Sequence, residues 1–593
     1  MRITISAPAK TALATLFLAA GIAAPVSGSA ATQKAQPADL ILYNAKVWTV
    51  DDKHPQAEAV AVRGTRIVKV GSSKEVLALK GPATRALDLG GKLVLPGFND
   101  SHTHFGNAAE WFFQVPLTDV NDVNLMAQRV KAVVARVPKG IWVTGGDWAT
   151  SAANAANKNR QAGFEPLVPD LKAIDAASPD HPVLLRRFDH VYFANSKALQ
   201  LARLSKNTPH PAGGWYGKDP ATGELNGMLY GTAGENLERQ LPPMSVRQKM
   251  IGARAVQADL NRVGITSITD IARIEEISEE QMYPFHVERS ATDERMFEAL
   301  RKAGELSLRV YAVLPIETRN ELAAHKIRPG SGDEWIRFGA LKGYGDSGVM
   351  FKPFTSNGLP SEWSYRFPGE SAFAQSILEA DKAGFDVGVH IIGDKAVHAL
   401  IDWYAATISQ NPPRDRRHRL IHMWHTTPED IRRAGKLGFA ADVQPYHLAR
   451  EVAQMGDTLD EERARSTHAW KSMIDAGIVL SLGSDMPGSF NRLHVAPYNP
   501  LENIFAAVTR TDKKGFPAGG WHPEQKLTIQ EAIRGYTLNP AWSSHEEKIK
   551  GSITEGKLAD MIVLSKDILT AAPQDYLSTE VVHTILGGKL LEL

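Results

Sequence analysis

Cysteine is absent from all 593 residues. Disulfides and thiolate metal sites are thereby excluded, and any metal must be held by histidine, carboxylate or an equivalent oxygen donor. An excess of charge of one sign is also lacking: 67 Lys and Arg stand against 66 Asp and Glu, a formal net charge of +1. With no basic stripe either, nucleic acid and an acidic membrane surface are not expected as partners. After the first thirty residues no apolar run is long enough for a bilayer, and there is no internal repeat or low-complexity tract. What is present is the composition of an ordinary globular protein, 43% hydrophobic and 22% charged. Such a chain can bury a large core, and its length exceeds one simple domain of ~150 residues.

The start of the chain differs from the rest. Arg2 and Lys10 carry positive charge, residues 11–26 form a short apolar run, and Gly28-Ser29-Ala30 supply small residues ahead of the polar ATQKAQPAD. This is the layout of a secretory signal peptide, residues 1–31, cleaved after Ala30 or Ala31. The rival, an uncleaved anchor, would need a run of ~20 residues. The expectation is an exported protein, periplasmic or secreted, with no stable membrane insertion after cleavage.

Residues 38–95 read as short strands and turns, rich in Val, Ile and Leu with glycine punctuation. The pattern returns at the far end, in ADMIVLSK and VVHTILGGKLLEL. The two pieces, 38–95 and 552–593, can together make one small β-sandwich around a long middle, 96–551. That middle alternates helical stretches with eight apolar strands. The first is KLVLPGFNDSHTH, and the others fall at 264–272, 308–314, 336–346, 385–394, 418–424, 439–446 and 478–485. Alternation of this kind implies a parallel sheet, and eight units imply a closed (β/α)8 TIM-type barrel. The gap of roughly 160 residues between strands one and two, about 105–263, is too long for a barrel connection. It reads as an inserted subdomain over the barrel mouth.

Functional side chains of such barrels gather at the C-terminal ends of the strands. Strand one ends in Asp100-Ser101-His102-Thr103-His104. Side chains alternate along a strand, so His102 and His104 share a face with Asp100 and can share a metal. Strand four carries Lys342 in register with Tyr344 and Asp346. A lysine there is either paired with Asp346 or carbamylated, offering oxygens to two metals. Strand five ends at His390, strand six carries His422 with His425 three residues on, and strand eight ends at Asp485. Each position alone is commonly structural. Five such strand ends together point to a metal site.

Several stretches make the chain similar to the amidohydrolase-3 family, the branch with N-substituted formamide deformylases: LPGFNDSHTH, LKGYGDSG, VHIIGDKAV, HRLIHMWHTTPED, LGSDMPGS, LENIFAAVTR, LTIQEAIRGYTLNPA and GSITEGKLADMIVLSKDIL. The resemblance runs from about residue 38 to the C-terminus, and its final segment supports the two-ended sandwich. It implies metal ligands at His102, His104, Lys342 as a carbamate, His390, His422 and Asp485, with Asp485 also the catalytic acid/base. The cofactor implied is a divalent metal, Zn2+ being the one expected, as one ion or two. One departure stands out: the family usually has an acidic residue just before the strand-six histidine, where this chain has Ile421. That puts the support of His422 in question and keeps His425 as its rival.

The resemblance implies hydrolysis of a non-peptide, amide-type C–N bond of a small molecule by water that the metal activates. Asp485 would move the proton from that water to the departing nitrogen. His190, Trp148 and Asp346 are the candidate substrate-binding residues. The rival activities are hydrolysis of an ester, a lactone or a cyclic amide at the same site. A rival of another kind is a catalytically inactive periplasmic binding protein, against which the intact ligand set argues. The oligomeric state stays open, a homo-oligomer included.

Overall fold

A computed structural model describes residues 36–117, 120–146, 148, 167–187, 190–271, 293–346, 370–455, 459, 461–487 and 498–592. The leader assigned to residues 1–31 lies outside them. Among the described residues no helix is long and apolar enough to cross a membrane.

All eight strands expected of the middle segment are present. They are β1 (Phe98–Thr103), β2 (Ile265–Ile271), β3 (Arg309–Pro315), β4 (Ile336–Tyr344), β5 (Asp386–Ile391), β6 (Arg419–His422), β7 (Ala440–Val443) and β8 (Val479–Leu482). Each pairs in parallel with the next, in sequence order from β1 to β8. Most of their residues are buried, as strands covered on both faces must be. At the rim the ring closes through a parallel bridge between Thr103 and Met486. The His104 N–H donates to the Met486 carbonyl at 2.7 Å, and the Asp485 N–H to the His102 carbonyl at 2.8 Å. Gly483 permits this approach, because a Cβ there would lie 2.7 Å from the His102 nitrogen.

The two chain ends meet. Met561–Leu564 runs antiparallel to Leu93–Pro96, inside a six-stranded sheet that also holds Lys46–Trp48 and Val581–Leu586. A four-stranded sheet built from residues of the N-terminal piece faces it, and Leu42, Val60, Val94, Met561 and Ile585 share one core. Arg309, at the start of β3, clamps this domain to the barrel through a bidentate ion pair with Asp560, at 2.5 and 3.0 Å.

The long stretch between β1 and β2 is only partly a separate unit. Its bordering helices, α1 (Phe105–Trp111) and α2 (Val246–Arg262), pack on the barrel and belong to its core. They touch so closely that a Cβ at Gly252 would overlap the Ala109 carbonyl. Between them lies a six-stranded sheet running from Gln114–Pro116 at one edge to Gly214–Lys218 at the other. It has its own core, around Phe113, Met126, Trp148 and Phe193. The insertion with its own core is therefore shorter than 105–263, because the apolar faces of α1 and α2 are already used by the barrel.

Candidate metal centre

The C-terminal ends of β1, β4, β5, β6 and β8 bring His102, His104, Lys342, His390, His422 and Asp485 to one end of the barrel. Asp485 is the hub. Its Oδ1 lies 3.4 Å from His102 Nε2 and 3.2 Å from His104 Nε2. The His102 ring stands 5.0 Å from that of His422, which stands 4.5 Å from that of His390. Lys342 is buried in the barrel wall, its Nζ 4.9 Å from the centre of the Tyr344 ring.

Two of these imidazoles are aimed by bonds on their far side. His104 Nδ1 lies 3.0 Å from the Ile271 carbonyl, and His422 Nδ1 lies 2.7 Å from Gln444 Oε1. Since both acceptors are oxygens, the proton sits on Nδ1 and each Nε2 presents a lone pair. Gln444 thus supports His422, the role the sequence left in question at Ile421; Ile421 itself is wholly buried in the barrel. The geometry also separates His422 from His425. His422 and Met423 take positive φ, 70° and 43°, which ends β6 and turns the chain. His425 is carried aside, where its Nδ1 lies 2.8 Å from Thr467 Oγ1.

Electrostatics favours ligating protonation states. Burial holds the imidazoles of His102 and His422 well below the usual histidine range, with the Lys342 ammonium adding to the effect. Burial alone would raise Asp485, but His102, His104 and His422 hold its carboxyl well below the usual carboxylate range. Burial thus disfavours the charged forms of His102 and His422, while the carboxyl of Asp485 is held toward its ionised form. Behind them, burial pushes Asp100 up to about 7, even though its Oδ1 accepts from the backbone N–H groups of His102 and Ser484.

The donor set fits a divalent cation. Both ring nitrogens of His102 are buried with no hydrogen-bond partner, which is costly unless something else satisfies them. Imidazole and carboxylate donors without thiolate suit Zn2+, Co2+ or Mn2+. His102, His104 and Asp485 place one donor atom each within 4.8 Å of one another.

The remaining candidates are placed differently. Asp346 accepts from the backbone N–H groups of Ile392 and Gly393, both at 2.8 Å, and lies 3.3 Å from His390 Nε2. It anchors the loop after β5 beside His390. Trp148 is a core residue of the insertion, its indole N–H donated to the Leu167 carbonyl at 2.7 Å. That burial corrects its assignment to substrate binding, since no face of the ring is open. His190 is exposed just ahead of the strand Val191–Ala194 of the inserted sheet, with Nδ1 3.1 Å from Glu235 Oε1.

One residue at the centre was not singled out from the sequence. His447, in the first turn of α3 (Pro445–Met455), lies with Nε2 3.6 Å from Asp485 Oδ2. His422, His447 and Asp485 form a second group with donor atoms within 4.8 Å of one another. The signal was the QPYH run closing the seventh strand.

With the geometry in hand, comparison with known proteins adds three findings. A model of the amidohydrolase family matches residues 85–591. The chain is 31% identical over 571 residues to the Protein LONG AFTER FAR-RED 3 of Arabidopsis thaliana, covering 93% of this chain and 91% of that one. It is 28% identical over 583 residues to the N-substituted formamide deformylase of Arthrobacter pascens, covering 94% and 98% respectively. Among solved structures, an uncharacterized metal-dependent hydrolase from Pyrococcus horikoshii matches with a TM-score of 0.66 at 21% identity, over 90% of this chain and 99% of that one. That last likeness concerns the fold.

Proposed function

The chain belongs to the amidohydrolase family, and from that premise we propose that it is a metal-dependent hydrolase cleaving a non-peptide C–N bond of a small molecule. The observation that carries this reading is the Asp485 carboxylate within 3.2–3.4 Å of His102 and His104, with the wholly buried His102 lacking a hydrogen-bond partner on either ring nitrogen. A binding protein gains nothing from keeping such a set intact. The deformylase name of one relative points to amide-type substrates.

His102, His104 and Asp485 would hold one cation; Lys342, His390 and His422 a second. A cation held there, Zn2+ in our reading, supplies Lewis acidity to the scissile carbonyl and lowers the pKa of water from 15.7 toward ~7. Asp485 accepts the proton of the attacking water on its carboxylate and returns it to the departing nitrogen, which leaves poorly unless protonated. His104, fixed through Ile271, and His422, fixed through Gln444, keep the donors from rotating away.

Lys342 acts in this proposal as a carbamate. Its deprotonated Nζ forms a bond to the carbon of CO2 and loses a proton to solvent, leaving an anion with two donor oxygens. His190 contacts substrate from the insertion, and the protein reaches its site of action by export with loss of residues 1–31. An intact mass from the native host starting near Ala31 or Thr32 is the check on export.

The test of function is a substrate panel. Zinc-loaded enzyme should hydrolyse N-substituted formamides or other small amides, and turnover should vanish with chelator and return with Zn2+, Mn2+ or Co2+. Turnover confined to esters or lactones would replace the C–N assignment. Full activity in protein shown to be metal-free by elemental analysis would overturn the reading.

A further inference from the structure

Resting on the metal-dependent reading above, we propose that His447 is an additional metal ligand, bound beside His422 to the second ion and drawing Asp485 Oδ2 toward it. Asp485 would then serve both groups of donors, with Oδ1 facing the strand-one histidines and Oδ2 facing His447.

The two oxygens of Asp485 face different partners. Oδ1 is 3.2 Å from His104 and 3.4 Å from His102, whereas Oδ2 is 3.6 Å from His447 Nε2. The donors of His422, His447 and Asp485 lie within 4.8 Å of one another. Ligands of one tetrahedral ion at about 2.0–2.2 Å stand roughly 3.4 Å apart, close to the 3.6 Å between His447 Nε2 and Asp485 Oδ2. His447 is buried, stacked over His422 at 6.1 Å and edge-on to Trp424 at 5.4 Å. It cannot turn to solvent.

Its origin is also telling. A single turn at the end of β7 carries both Gln444, which fixes the His422 tautomer, and His447, whose backbone N–H donates to the Gln444 carbonyl at 3.0 Å. The segment that aims one ligand therefore delivers another. A carboxylate and three imidazoles, His390, His422 and His447, favour a nitrogen-preferring cation such as Zn2+ or Co2+ over Mg2+ or Ca2+.

The experiment compares wild type, His447→Gln, His425→Gln and His102→Ala. Each is stripped of metal, checked for folding by circular dichroism, and titrated with Co2+ while visible absorption and bound metal are read. His447→Gln should weaken the second ion about tenfold or more and change the Co2+ spectrum, while His425→Gln matches wild type. A folded His447→Gln protein with wild-type spectrum, stoichiometry and affinity would overturn the proposal, and would mark His447 as a packed core imidazole. If His102→Ala loses metal in that same series, the metal-dependent reading survives and only the His447 assignment falls. Wild type that binds no Co2+ would sink both. Should His447→Gln fail to fold, a crystal structure of zinc-loaded wild type decides. An Nε2–zinc distance of about 2.0–2.1 Å supports the ligand, and an ion bound with His447 out of reach removes it.

Discussion

The two ends of the barrel are both rich in buried charge, and they treat it in opposite ways. At the N-terminal end every such group described here has an opposite charge at hand. Arg309 meets Asp560, Arg414 meets both Asp381 and Asp386, Arg419 meets Asp442, and Lys550 meets Glu546. At the C-terminal end, the imidazoles of His102, His104, His422 and His447 gather around the single carboxylate of Asp485. Pairing satisfies the desolvation cost of a charge and fixes architecture. Several imidazoles around one carboxylate are instead the donor set that suits a divalent cation. One end is built to stay folded and the other to bind.

The sharpest way to break that contrast is at Asp485. Asp485→Asn keeps the size and one oxygen but removes basicity. It should lower kcat by on the order of 10² or more with KM nearly unchanged and most metal retained. Turnover within a few-fold of wild type, with metal in place, would take the proton transfer away from Asp485. Next in size is Lys342→Ala, which should lose metal and activity together while circular dichroism stays native, with partial rescue by a short carboxylic acid. Electron density showing a bare lysine turned away from the ions would remove the carbamate.

The opposite end should respond in stability instead. Arg309→Met leaves Asp560 buried without its partner, so unfolding free energy from denaturant titration should fall by about 3–5 kcal/mol. Metal content and kcat of the folded fraction should stay near wild type. A loss of metal without loss of stability would erase the distinction between the ends.

Acid sharpens the same comparison. Burial alone would raise Asp381 and Asp386, but His418 and Arg416 beside Asp381, and His545 beside Asp386, hold both carboxyls below the usual carboxylate range. A depressed folded-state pKa contributes stability above the unfolded value of about 3.9 that is lost as pH falls through the folded one. Stability should therefore be insensitive to these groups near pH 7 and decline below about pH 4. Asp386→Asn should flatten part of that decline; an unchanged acid limb would show that the pairs contribute little. The smallest effect is expected at His190, which is exposed. His190→Ala should shift stability by no more than about 0.5 kcal/mol and raise KM a few-fold at constant kcat. Unchanged KM would remove it from substrate contact.

The barrel was legible because apolar runs, glycine and helical stretches alternate eight times, and strand parity alone placed His102 with Asp100. Parity stops where strands stop. His447 lies three residues beyond Gln444, in the first turn of a helix, so the strand period could not address it. The choice between His422 and His425 depended on positive φ at His422 and Met423, which no propensity announces. Trp148 was a substrate-binding candidate in the sequence. Only tertiary packing could show that it fills the core of the insertion.

The seam between β1 and β8 has a consequence for biosynthesis. Asp100 and Ser484 are joined by a hydrogen bond across 384 positions of sequence, and the same seam sets Asp485 against His102 and His104. Contacts so distant along the chain form late in folding. A nascent chain that has not yet delivered β8 cannot assemble the His102, His104 and Asp485 group, however well its earlier strands are paired. Chains truncated before β8 therefore lack Asp485 beside His102 and His104.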